Sequence, residues 1–193
     1  MSTSGDRAAL AGLHDVELAA RAAAGGRAAF GELVRRHGSG VRGLLRRMGA
    51  DHALADDIAQ DAFLVAYERV AEFRGEGAYA GWVKRIAARL YLKRKAREAK
   101  AALGREPAEP EESSGHGEAL AVGRMDLDEA LKALTPAEQL CVSLCYGAGL
   151  SHSEAAAALE TPLGTVKSHV KRGLDKLRSR LVPEAAAGRS VGG

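Results

Sequence analysis

The stretch TPLGTVKSHVKRGLDKLRSRL, residues 161–181, decides how this chain is read. Leu163, Val166, Val170, Leu174, Leu177 and Leu181 recur in steps of three and four, which draws one apolar stripe along a helix. Away from that stripe stand Thr165, Lys167, Ser168, Lys171 and Arg172, all able to donate hydrogen bonds. Such a helix is either the solvated face of a bundle or a helix that enters a nucleic-acid groove. The residues before it bear on that choice.

Working back, TPAE at 135–138 fits a capping box with Pro136 at the first helical position, and SHSE at 151–154 fits a second box. Thr161 and Pro162 open the long helix. The expected order is a helix over 136–146, a short helix over 152–159, a brief connection and the basic helix. That arrangement is a helix-turn-helix. Its second helix lies in the major groove, where small polar and cationic residues read base edges. Thr165, Lys167, Ser168, His169, Lys171 and Arg172 occupy its first turns. Lys176, Arg178 and Arg180 follow, where phosphates position a protein without specifying sequence.

The bulk numbers agree with an all-α protein. Of 193 residues, 46% are hydrophobic and only 4% aromatic, so the core is built from Leu, Val and Ala. The formal charge is +3, modest enough that its distribution matters more than its sum. No apolar run reaches the length of a membrane span, and the first residues lack the apolar core of a signal peptide. The expectation is a cytoplasmic protein without direct membrane insertion. Two cysteines, Cys141 and Cys145, make no disulfide framework. Spaced i, i+4 they share a helix face, where buried small hydrophobes are commoner than half of a metal or redox site.

The N-terminal half reads as a helical bundle. Residues 1–14 look like a loose tail, and Asp15 is placed to cap a short helix ending at Gly25 and Gly26. The next helix carries Phe30, Leu33, Val34, Val41, Leu44, Leu45 and Met48, with Gly38 and Gly40 as points of kinking or interruption. Asp51 starts a stronger helix, acid-rich in its first half, with Leu54, Ile58, Ala62, Val65 and Phe63 on its buried side. A glycine-rich break at 74–81 precedes a basic helix. Between Lys84 and Lys100 stand eight Lys or Arg and one Glu, and Arg85, Arg89, Lys93 and Arg97 recur every four residues. Residues 106–118 hold five glutamates, two prolines and no Lys or Arg. That composition cannot bury a core and reads as a flexible acidic linker, which lets the two domains sit in more than one relative arrangement.

At this point the chain is recognisable. LTPAEQLCVSLCYGAGLSHSEAAAALETPLGTVKSHVKRGLDKLRSRL resembles the C-terminal promoter-reading domain of bacterial sigma factors, and ADDIAQDAFLVAYERVAEFRGEGAYAGWVKRIAARL resembles their N-terminal conserved domain. Two such domains joined only by a linker resemble the extracytoplasmic-function group of the sigma-70 family. The implied organisation is a tail (1–14), a region 2 domain (15–103), the acidic linker (104–124), a region 4 helix-turn-helix domain (125–182) and a second tail (183–193).

The resemblance implies a promoter-specificity subunit that binds core RNA polymerase, recognises the minus-ten and minus-thirty-five elements and helps open DNA. Asp56, Asp57, Gln60, Asp61 and Phe63 match the helix that meets the clamp helices of the β′ subunit. FRGEGAYAGW matches the loop that receives a base flipped from the minus-ten element, and Phe73, Arg74, Glu76 and Tyr79 are its candidate lining. Trp82 reads first as core, through its spacing to Ile86, and second as a stacking platform. Arg85, Arg89 and Lys93 fit a cationic track for DNA. Thr165, Lys167, Ser168, His169, Lys171 and Arg172 fit the minus-thirty-five contacts. An anti-sigma protein is the implied antagonist. No cofactor, metal or catalytic constellation is expected, so the protein does not read as an enzyme.

The sequence departs from the family at three places, of which the pair Cys141 and Cys145 is one. Arg89 and Lys93 stand where the family usually has Asn and often Asp, and His169 stands where arginine is common. The rival readings are a two-domain helix-turn-helix regulator and a sigma-like decoy that does not initiate transcription.

Overall fold

The computed structural model describes residues 9–75, 78–102, 127 and 129–181, and every regular element among them is helical. The N-terminal half holds α1 (Asp15–Ala23), α2 (Arg27–Arg47), α3 (His52–Glu68) and α4 (Tyr79–Ala102), with a 3-10 turn at Val70–Glu72. The C-terminal half holds α5 (Pro136–Val142), a π-helical turn at Ser143–Gly147, α6 (His152–Ala158) and α7 (Leu163–Leu181). The expected acidic linker at 104–124 and the tail at 183–193 lie outside the described residues.

Local signals explain most boundaries. The Asp51 carboxylate accepts the Leu54 N–H at 2.7 Å and starts α3, as its sequence predicts. Both capping boxes form. Thr135 Oγ1 accepts the Glu138 N–H at 3.3 Å, and Ser151 Oγ accepts the Glu154 N–H at 3.2 Å. Each glutamate returns the bond to the cap N–H.

Tertiary contacts override the sequence pattern elsewhere. Asp15 is the first residue of α1 and not its cap. Its carboxylate instead meets Arg36 Nη1 at 3.0 Å and His37 Nε2 at 2.7 Å on α2. Helix α2 runs unbroken through Gly38 and Gly40. Each glycine costs about 1 kcal/mol in a helix, but α2 buries Leu33, Val41, Leu44 and Leu45 almost completely. Residues 10–13, expected in a loose tail, are tied down. Leu10 and Leu13 pack on the core, and Arg36 donates to the carbonyls of Leu10, Ala11 and Leu13 at 2.7–3.1 Å.

In the C-terminal half, Val166, Val170 and Leu177 are buried, and Leu174 is partly so. Gly173 sits where a Cβ would meet Val142 at 2.8 Å, so α5 and α7 approach closely. The two ends of the predicted stripe, Leu163 and Leu181, are exposed, because the helix runs past its supports.

The two halves share a core. Leu144, Ala148 and Leu150 join the apolar cluster of α1–α4. At Gly147 a Cβ would stand 2.6 Å from Leu44 Cδ1 on α2. Ser143 Oγ donates to the Arg47 carbonyl at 3.3 Å, and Arg85 Nη2 donates to the Gly149 carbonyl at 2.6 Å. This is one closed arrangement of the two domains. Gly147→Leu would overfill the seam. It is expected to raise the radius of gyration in solution scattering while leaving helical circular dichroism intact; an unchanged radius would show that the Leu44 contact does not hold the halves together.

Candidate nucleic-acid and polymerase-binding surfaces

The helix that the sequence pattern assigns to groove reading is α7. Thr165, Lys167, Ser168, Lys171 and Arg172 are exposed on it, and His169 is half-buried. Ser168 Oγ donates its proton to the Gly164 carbonyl at 2.8 Å, so outward it offers acceptor lone pairs. The sequence pattern treats this hydroxyl as a donor; the helix backbone uses that capacity. Arg172 Nη2 bonds to His169 Nδ1 at 3.0 Å.

A residue that the sequence reading placed only in a cap proves central to this surface. Glu138 is 3% exposed, and its carboxylate accepts Lys176 Nζ at 2.7 Å. Its other oxygen lies 3.5 Å from Arg172 Nε. Lys176 foremost, and then the Thr135 N–H, hold its carboxyl down to about 2. Lys176, expected at phosphate, is thus engaged by its own protein. The pair spans 38 positions, a distance that helical periodicity cannot bridge.

On α3 the polar residues Asp56, Asp57, Gln60 and Asp61 are all exposed. Asp56 lies 3.5 Å from Arg42 Nε. Phe63 is not on this surface. It is 7% exposed and meets Phe30 edge-on at 6.4 Å, so it supports the helix from behind. Leu64, one position on, is 63% exposed and is the large apolar side chain on this face. The i, i+3, i+4 steps from Asp57 through Gln60 and Asp61 to Leu64 were the signal that could have found it.

Phe73 in the loop before α4 and two residues of the first turn of α4 form an aromatic cluster. Phe73 lies 5.3 Å from Tyr79 and 5.6 Å from Trp82, and Tyr79 lies 5.6 Å from Trp82, centroid to centroid. Phe73 and Trp82 are half-buried and both pack against the core, while Arg74 is exposed. Glu76 lies outside the described residues. Tyr79 is 1% exposed, and its hydroxyl has no partner among the described residues. Burial foremost, and then the nearby Asp15 carboxylate, push its pKa up. Beyond this cluster Arg85, Arg89 and Lys93 are exposed along α4. Arg85 is held by the Gly149 carbonyl, and Glu154 on α6 feels both Arg85 and Arg89.

Cys141 is buried and Cys145 half-buried; burial raises both thiols, Cys145 to about 11. At neutral pH both are thiols, not thiolates, and suit packing better than ligation. No group of three His, Cys, Asp or Glu among the described residues could hold a metal ion, and no described helix is long and apolar enough to cross a membrane.

Tyr79→Phe removes an orphaned buried hydroxyl and is expected to hold or raise stability by about 1 kcal/mol; a clear loss in thermal unfolding would show that the hydroxyl is bonded. Glu138 and Glu32 are both held down to about 2, the first by Lys176 and the second by Arg35 and Arg36. A depressed carboxyl stabilises the fold above its unfolded value, near 4.5, and that stability is lost as pH falls towards 2. Acid unfolding of the wild type is therefore expected across that window, and its steepness should fall in the Glu32→Gln, Glu138→Gln double variant.

Comparison with known proteins identifies the family of the two halves. The Sigma-70 region 2 model matches residues 33–101, and the Sigma-70, region 4 model matches residues 130–179. The ECF RNA polymerase sigma factor SigE of Mycolicibacterium smegmatis is 34% identical over 80% of this chain, which spans 62% of that relative's length. The RNA polymerase sigma factor NccH of Alcaligenes xylosoxydans xylosoxydans is 32% identical over 86% of this chain and 94% of its own. Among solved structures, CnrH in complex with the cytosolic domain of CnrY is 27% identical, covering 86% of this chain and 96% of that one at a TM-score of 0.49. Both regions lie in order on one chain, and a relative above 30% identity is matched over nearly its whole length, so this chain belongs to the extracytoplasmic-function sigma factors of the sigma-70 family, the promoter-specificity subunits of RNA polymerase.

Proposed function

We propose that this sigma factor divides its work among three surfaces. The exposed face of α3, with Asp56, Asp57, Gln60 and Asp61, docks on the β′ clamp helices, and Leu64 adds an apolar contact. Phe73, Arg74, Glu76 and Tyr79 form the region that takes an unpaired minus-ten base, and Arg85, Arg89 and Lys93 track the DNA backbone. Thr165, Lys167, Ser168, His169, Lys171 and Arg172 face the minus-thirty-five element. The observation that carries this reading is the pairing of an exposed acidic row on α3 with an exposed cationic row on α4, two consecutive helices of one bundle. One row suits a protein partner and the other a polyanion.

Two parts of the reading depend on conformation. Arg85 bonds to the C-terminal half in the closed arrangement, so the halves separate before this cation meets DNA. The aromatic residues are packed together, so a base enters only if Phe73 or Tyr79 moves; unstacking that base costs a few kcal/mol. The protein works in the cytoplasm, as a non-catalytic subunit, and an anti-sigma protein is its proposed antagonist.

The test is transcription with purified core RNA polymerase on genomic promoter fragments, with sequencing of the transcripts. Discrete starts that share two upstream elements are expected. Asp57→Lys with Asp61→Lys should abolish them through loss of core binding, measured by co-elution, with DNA contacts untouched. Specific DNA binding without any transcript would favour a regulator or decoy instead.

A further inference from the structure

Glu138 is nearly inaccessible to water yet carries its charge. A buried carboxylate persists only where donors surround it. Oε2 accepts the Thr135 N–H at 3.0 Å and Lys176 Nζ at 2.7 Å, and Oε1 faces Arg172 Nε at 3.5 Å. Arg172 and Lys176 stand one turn apart on α7. One carboxylate on the supporting helix α5 therefore holds two successive cations of the recognition helix.

The arrangement continues outward. Arg172 Nη2 lies 3.0 Å from His169 Nδ1. A guanidinium has donors and no acceptor, so Nδ1 accepts and the ring proton sits on Nε2. His169 then offers a donor, not an acceptor, to whatever it meets. That suits guanine O6 or N7, thymine O4 or a phosphate oxygen, and it disfavours the amino group of cytosine.

We propose that Glu138 is a positioning residue for promoter readout. It aims Arg172, through Arg172 it fixes the donor presented by His169, and it withholds Lys176 from phosphate. The proposal rests on the assignment of α7 as the DNA-reading helix. A purely structural Glu138 would matter to stability alone. A positioning Glu138 also restrains electrostatics, because it neutralises cations beside a polyanion.

The two roles separate in holoenzyme assembled from the full chain and bacterial core polymerase, presented with promoters randomised upstream. Glu138→Gln keeps an amide oxygen for the cap but loses the charge that holds Lys176 and Arg172. It is expected to bind non-preferred promoters more tightly, to steepen the salt dependence by about 0.9 in log–log slope for each cation released, and to lower discrimination among upstream sequences about tenfold. An unchanged slope and unchanged discrimination in a folded variant would overturn the proposal. Lys176→Gln guards against a folding failure, because its amide N–H still offers a donor to the Glu138 carboxylate. It should leave the salt slope alone, since that lysine is withheld from phosphate; a shallower slope would also overturn the proposal. Nitrogen NMR of histidine-labelled free chain reads the outer link directly. His169 Nδ1 should be unprotonated at pH 8, and Arg172→Met should redistribute the proton; a protonated Nδ1 in the wild type removes the link. If wild-type holoenzyme shows no upstream preference at all, the assignment of α7 fails, and the proposal fails with it.

Discussion

Arg36 donates to three main-chain carbonyls and two carboxylates, and the N-terminal half is arranged to satisfy it. A guanidinium that is four-fifths covered must have its donors met. Residues 10–13 fold back to supply carbonyls. Asp15 gives up a cap for an ion pair. His37, next along α2, shares Asp15 and lies 5.5 Å from the Tyr79 ring at the start of α4. One turn of α2 thus links the first described residues to the helix that carries the basic track. The aromatic cluster rests on that link, so its placement follows from a charge some distance away.

The sequence reports faithfully wherever the decisive interaction is local. Asp51, Thr135 and Ser151 each cap within three residues, and each boundary could be read directly. The same holds for the exposed row on α3 and the cationic row on α4, which need only a helical period. Legibility fails where a partner lies far along the chain. Asp15 looks like a cap until Arg36 and His37 arrive from α2. Glu138 looks like half of a capping box until Lys176 is folded against it. No local signal at Gly147 reports that Leu44 Cδ1 stands where a Cβ would lie, 2.6 Å away. Phe63 and Leu64 are adjacent and both apolar; their division between core and surface follows from the packing of Phe30.

The cationic character of this chain is partly satisfied within the protein. Arg85 has a carbonyl, Lys176 a carboxylate and Arg172 both a carboxylate and an imidazole within reach. Lys167, Lys171, Arg89 and Lys93 remain exposed along α7 and α4. Counting lysines and arginines therefore overstates the attraction of the folded chain for nucleic acid. Specificity is better judged from which cations are held and in what direction they point. Ser168 carries the same lesson for a neutral group, since its proton already belongs to the helix.

The shared core between the two halves has a consequence for the measurement of affinity. A partner that engages only the separated form sees just the fraction of molecules that is open. Its apparent dissociation constant is the intrinsic one divided by that fraction. Each 1.4 kcal/mol in the seam weakens apparent binding about tenfold while every contact with the partner stays the same. Substitutions at Leu44, Ser143 or Gly147 would then change the apparent affinity for such a partner through the open fraction alone. The packing of one leucine against one glycine thereby enters every affinity measured for such a partner.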